Sequence, residues 1–219
     1  MKALLGQKVG MTRIADKHGR IVGATVIEAT PNAVTAIMST DKHGYSAIQL
    51  GYGDIEQAKK PQQAALKIAN AKAGHHLIEI RTDATDEAPA LGSDITVEIF
   101  KPGDIVDVTA TSKGHGFAGT VKRHHFTIGP RSHGGMNQRE PGSIGSQQPQ
   151  RVVKGRRMAG HMGAKRATVK HLEVLDVLPD ENLLVLKGAI PGIKGALVLV
   201  RVTPRFATSL TTETEESVE

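Results

Sequence analysis

The chain has 219 residues, of which 39% are hydrophobic and 23% charged, a composition that supports one globular core with an appendage or two small domains. It contains no cysteine, which excludes disulfides, thiolate metal sites and a cysteine nucleophile and fits a reducing compartment. The net charge of +6 hides an asymmetry: residues 111–171 hold 12 of the 28 Lys and Arg but only one of the 22 Asp and Glu, Glu140, so this stretch carries +11 and the rest of the chain −5.

The first 50 residues contain short alternating or β-branched runs, VGMTRI, IVGATVIE, AVTAIMS and YSAIQL, separated by turn material such as DKHG and TPN. This spacing predicts the strands of a barrel or sandwich. The start, MKALLGQKVGMTRI, has one lysine and a short apolar run before Gln7 and Lys8, too brief for a secretory signal core. No stretch reaches the roughly 20 apolar residues of a membrane span; GAIPGIKGALVLVRV is cut by Pro191, Lys194 and Arg201. A cytoplasmic location without a membrane partner is expected.

Residues 54–73, DIEQAKKPQQAALKIANAKA, are rich in Ala, Gln and Lys and predict a short helix opened near Pro61 and ended at Gly74. HLIEIR, ITVEIF and DIVDVTA predict further strands before the basic stretch. After it come TVKHLEVLDVL, NLLVLKG and ALVLVRV, joined by turns at PDEN and PGIKG. The chain closes on an acidic polar tail, TSLTTETEESVE, with no packing face, expected to be disordered. Strands on both sides of the basic stretch imply that its flanks pack together while it projects outward, and a loop far longer than about 12 to 15 residues is either functional or disordered.

GHGFAG, residues 114–119, matches the dinucleotide pattern G-x-G-x-x-G and follows a strand-like run. The following TVKRHHFTIGP is β-branched and ends in Gly-Pro, so no helix N-terminus is expected to receive a pyrophosphate. Glu140, at the spacing of a ribose-binding acid, precedes Pro141-Gly142 in a loop. Six of the ten histidines lie between 111 and 171, but their neighbours Lys122, Arg123 and Arg131 oppose a metal cation. Ser132, Ser143 and Ser146 have histidines nearby, yet Glu140 is the sole local acid and no nucleophile elbow or H-E-x-x-H is present. No catalytic residue, metal site, cofactor or small-molecule substrate is expected.

The basic stretch itself is coherent. Lys113, Lys122, Arg123, Arg151, Lys154, Arg156, Arg157, Lys165 and Arg166 supply phosphate contacts, with Arg131 and Arg139 between them. His124, His125, His133 and His161 are placed to stack on or hydrogen-bond to RNA, or to face water. Glycines such as Gly114, Gly116, Gly119, Gly160 and Gly163 let the backbone approach a sugar-phosphate surface closely. Phe117 and Phe126 either stack on bases or anchor local packing; so few aromatics argue against a single-strand stacking platform. The alternatives are a polyanion-binding segment and a flexible spacer.

The strings LLGQKVGMTRI, TSKGHGFAGTVKRHHF, SHGG followed by REPGSIG, VVKGRRMAGHMGAKRATVKHLEV and NLLVLKGAIPGIKGALVLV resemble, in family order, the bacterial form of large-subunit ribosomal protein three, the universal L-three family. The resemblance runs to about residue 203. It implies a mainly β fold: a six-stranded β-barrel of the translation-protein type with a small α/β insertion and a long irregular basic extension. The body is expected over 1–126 and 166–206, the inserted α/β part over about 54–92, the rRNA-penetrating loop over 127–165 and the acidic tail over 207–219. It further implies a structural, non-enzymatic constituent of the large subunit that binds large-subunit rRNA, supports early assembly and braces RNA near the peptidyl transferase centre. The implied neighbours are large-subunit proteins fourteen and nineteen. A methylated glutamine is implied near Pro149, with Gln148 the candidate and Gln147 the alternative. The chain departs from the family at Ala15, where many relatives have an aromatic, over residues 54–76, and at SQQ between Gly145 and Pro149, one residue shorter than in many relatives. A free-standing RNA chaperone and a nucleotide-dependent enzyme built on GHGFAG are the rival functions.

Overall fold

The structure is a computed structural model that describes residues 2–82 and 89–203, so the tail expected over 207–219 lies outside the described residues. In chain order the strands are β1 (Ala3–Ala15), β2 (Ile21–Glu28), β3 (Asn32–Met38), β4 (Ala47–Asp54), β5 (Ala73–Arg81), β6 (Asp94–Ile95), β7 (Ile105–Thr111), β8 (Gly116–Ala118), β9 (Gly160–Met162), β10 (Arg166–Leu178), β11 (Leu183–Lys187) and β12 (Leu197–Val202). Three short helices, α1 (Thr40–His43), α2 (Lys60–Ile68) and α3 (Thr120–His124), lie between them. The fold is mainly β. The described residues separate into two compact units, one made of those up to Thr111 and from Arg166 to Thr203, the other of Ser112–Lys165.

In the first unit six antiparallel strands close a ring in the order β1-β12-β7-β10-β11-β2, each hydrogen-bonded to two neighbours. Side chains alternate across a strand, so Leu4, Val106, Val108, Val198 and Val200 share one core with Ile27, Val174, Leu184 and Leu186. Their chain neighbours Leu5 and Leu199 point the other way and pack on Val34, Ile48, Leu50 and Ile80 of a second sheet, ordered β5-β4-β3-β6. This explains why ALL and LVLVRV are apolar without alternation: both of their faces are covered. Truncating a core leucine such as Leu4 or Leu184, each fully buried, to alanine costs about 2–5 kcal/mol.

Several expectations are corrected here. AVTAIMS and YSAIQL do not join the β1 and β2 strands in one sheet but form β3 and β4 of the second sheet, which starts at Asn32, well before the expected residue 54. Asn32, fully buried, ties that sheet to the ring: its Oδ1 accepts from the Leu5 N–H at 3.2 Å and its Nδ2 donates to the Leu5 carbonyl at 2.9 Å. ITVEIF yields only the two-residue β6 and a 3-10 turn over Val97–Ile99; Val97 and Phe100 instead fill the ring's core. The helix α2 is present with Pro61 in its first turn, but Gly74 does not end it. Gly74 lies in β5, where a Cβ would stand 2.3 Å from Leu66 Cδ1, so a glycine is what lets α2 pack there. The chain leaves the helix through Asn70, at φ 52°.

Buried polar groups fix the irregular places. The β7–β10 ladder slips between Val169 and Leu172, where His171 takes φ 59°. Asp107, 3% exposed, accepts from the His171 N–H at 3.1 Å and from Thr203 Oγ1 at 2.8 Å. Lys8 is buried in β1 and its Nζ donates to the carbonyls of Ile190 at 2.9 Å and Gly192 at 3.2 Å, holding the loop between β11 and β12. Lys187 Nζ, at the end of β11, bridges Asp16, just past β1, at 3.0 Å and Glu173, midway along β10, at 2.9 Å, and Lys17 adds a 3.2 Å contact to Glu173.

The hydrogen bonds from Lys187 hold both carboxyls below their ordinary values and raise the Lys187 ammonium. Groups with depressed values stabilise the fold above their unfolded values, 3.8 for Asp16 and 4.5 for Glu173, and that contribution is lost as pH falls through the lower folded values. Lys187→Met should therefore have a lower urea midpoint than the wild type near neutral pH, and the gap should close as pH drops below 4.5. A gap that persists unchanged through that window would show that the ion pairs do not contribute.

Candidate nucleic-acid interface

The second unit, Ser112–Lys165, has almost nothing to bury. Ala118 and Thr120 are its only buried residues, and Glu140 its only acid. What order it has comes from backbone hydrogen bonds and glycine contacts. Its two ends are tied together, the Ser112 N–H donating to the Lys165 carbonyl at 2.9 Å and the Lys165 N–H to Ser112 Oγ at 3.3 Å. Next, β8 pairs with β9, and the His115 N–H donates to the Met162 carbonyl at 2.9 Å. Gly163 sits at φ 74° with its pro-Cβ position 1.9 Å from the Lys113 carbonyl oxygen, so no side chain fits there.

The predicted residues fall into three groups. Lys113, Lys122, Arg131, Arg139, Arg151, Lys154, Arg156, Arg157 and Lys165 are exposed, as is Arg166 at the start of β10. Among the described residues none of these cations makes an ion pair with a carboxylate. Arg123 and His124, at the end of α3, turn inward: Arg123 Nη1 donates to the Met158 carbonyl at 2.7 Å, and His124 Nε2 lies 3.1 Å from the same oxygen. Arg156 Nη2 donates to the Ser143 carbonyl. The remaining histidines, His125, His133 and His161, are exposed. His125 and His133 adopt positive φ, 57° and 59°, and serve as turn residues. Gln148 is exposed inside a turn in which the Gln150 N–H donates to the Gln147 carbonyl at 3.1 Å.

The structure changes three readings. GHGFAG is followed by a helix after all, with Gly119 at the N-cap of α3. That helix has five residues and β8 pairs only with β9, so no parallel βαβ unit surrounds the motif. Gly160 and Gly163 serve the chain rather than an approaching ligand: a Cβ at Gly160 would stand 2.7 Å from Arg123 Nη1. Phe126 is half-buried with its ring 6.0 Å from that of His124, while Phe117 is 80% exposed. Sequence reasoning missed Gly129, whose N–H donates to the Gln138 carbonyl at 2.9 Å and whose pro-Cβ position lies 2.7 Å from the Asn137 carbonyl, closing a turn over 129–138. The Gly129-Pro130 pair with Gly134-Gly135 was the available signal. Among the described residues no three His, Asp or Glu side chains gather as metal ligands, and no helix is long and apolar enough to cross a membrane.

A β body carrying a glycine-rich, acid-poor polycationic unit is the build of a structural protein of a ribonucleoprotein. The model of one family, Ribosomal protein L3, matches residues 69–181. The large ribosomal subunit protein uL3 of Carboxydothermus hydrogenoformans is 46% identical over 202 residues, 91% of this chain and 96% of the relative. That of Acidothermus cellulolyticus is 47% identical over 94% of both chains, and that of Streptomyces coelicolor 46% identical over 94% of this chain and 98% of its own. The chain belongs to the ribosomal protein L3 family, whose members are structural ribosomal components and not enzymes.

Gly163→Ala should unlatch the tied ends of the second unit. Limited proteolysis should cut residues 113–165 faster in the variant, while the stability of the first unit stays within about 0.5 kcal/mol, since substitutions away from its core are near neutral. Equal protection of that segment in both proteins would contradict the latch.

Proposed function

We propose that the chain is a structural constituent of the large ribosomal subunit in the cytoplasmic ribosome, and that residues 127–165, with the flanking Lys113, Lys122, Arg123 and Arg166, bind large-subunit rRNA. The observation that carries this reading is the row of exposed cations without carboxylate partners among the described residues, in a unit whose single acid is Glu140. Like charges at this density repel over a Debye length of about 8 Å in physiological salt. A polyanion removes that repulsion and releases its own counterions. Shape acts with charge: the turns at 129–138 and 147–150 expose polar residues such as Asn137 and Gln148, which suit the 2′-hydroxyls and irregular grooves of folded RNA.

In this reading the six-stranded ring is a β-barrel of the translation-protein type, supported by closure of its pairings. The body stays at the subunit surface and docks early in assembly, and the extension braces RNA near the peptidyl transferase centre. Large-subunit proteins fourteen and nineteen are its neighbours. Gln148, exposed in its turn, is the candidate for methylation.

Replacing Lys154 and Arg157 by alanine should weaken binding to purified large-subunit rRNA and lower the slope of log K against log salt by roughly 0.7 to 0.9 for each phosphate left without its cation. In parallel, the wild type should co-sediment with large subunits in stoichiometric amount. A slope unchanged by both substitutions, or a protein that binds RNA but never accumulates in subunits, would sink this reading, the second outcome in favour of a free-standing RNA chaperone.

A further inference from the structure

We infer that Phe117 and His161 form a stacking site for one unpaired RNA base. The inference rests on the rRNA-binding reading above and adds to it an interaction that is not ionic. Phe117 of β8 lies directly opposite His161 of β9, so both side chains stand on one face of this two-stranded sheet. Ala118, pointing the other way, is buried. Among the described Phe and Tyr residues Phe117 is the exposed one, at 80%, against 2% for Phe100 and 9% for Tyr52. Among the described residues its ring has no aromatic partner, whereas Phe126 lies beside His124.

The surroundings favour a base over a pocket on another protein. An apolar docking site gathers several large hydrophobic residues, but the chain beside Phe117 is Gly114, Gly116, Ala118 and Gly119. A Cβ at Gly116 or Gly119 would meet nothing within 4 Å, so a flat ring has an unobstructed approach. Lys113, Lys122 and Lys165 are exposed and have no carboxylate partner among the described residues, which is charge complementary to the phosphates on either side of a stacked nucleotide. The imidazole of His161 offers the base a second ring and a hydrogen-bonding edge. Stacking of this kind tolerates any base, because every base has a π face.

The test measures binding of full-length wild type, Phe117→Ala, Phe117→Leu and Phe117→Trp to purified large-subunit rRNA across roughly 50 to 200 mM salt, with circular dichroism on each protein. Phe117→Ala should bind roughly tenfold more weakly with an unchanged salt slope. Phe117→Leu should stay as weak, and Phe117→Trp should return to near wild type. Wild-type affinity in Phe117→Ala, or rescue by leucine as good as by tryptophan, overturns the stacking site. So does intact RNA binding by Phe117→Ala combined with failure to enter subunits, which would assign the ring to a protein pocket. Loss of salt-dependent binding in the wild type itself would instead strike the rRNA-binding reading beneath it.

Discussion

The pairing of Thr111 with Arg166, where β7 meets β10, is the interaction on which the rest of this molecule depends. The same ladder does two things at once. It completes the six-strand ring, because β7 also pairs with β12 and β10 with β11. It also sets the chain's exit and return for the polycationic unit side by side, and the Ser112–Lys165 hydrogen bonds continue the tie beyond it. Once the stem is fixed, the length of what hangs from it matters little, since closure entropy rises only by about 0.6 kcal/mol for each doubling of loop length. A ring with its own core can therefore carry a segment that contributes nothing to that core.

That segment lacks what usually orders a chain. Fixing backbone costs about 1–2 kcal/mol per residue, and between Ser112 and Lys165 only Ala118 and Thr120 are buried. Backbone bonds, the glycines at 129, 160 and 163 and the inward-turned Arg123 give it local shape. Charge works against that shape, because a single glutamate stands among so many cations. Elsewhere in the chain cations meet carboxylates: Lys187 lies between Asp16 and Glu173, and Lys2 beside Asp104. The contrast separates a part of the protein that satisfies itself from a part that, in the function proposed above, a polyanion satisfies.

What the sequence disclosed divides along the same line. Individual strands were legible because apolar alternation is local, and LVLVRV and NLLVLKG became β12 and β11. Sheet membership was not, because alternation tells which way a side chain points and not which strand lies alongside; β3 and β4 went to the second sheet through Asn32, whose role depends on Leu5, far away in the chain. ITVEIF has a strand's composition, yet Val97 and Phe100 are needed as core filling. Gly74 and Gly163 show the same limit from another side, since the atoms that forbid a Cβ there belong to Leu66 and Lys113. The basic stretch was plain because the absence of acids is a property of composition, visible before any folding.

The central claim, that a partner supplies the order residues 112–165 cannot supply for themselves, is tested most directly by hydrogen exchange with mass spectrometry on the free protein and on intact large subunits. The account predicts that amides of β1, β7, β10 and β12 are protected in both, while those between Ser112 and Lys165 exchange quickly in the free protein and become protected in the subunit. Equal protection of that segment in both states would contradict it.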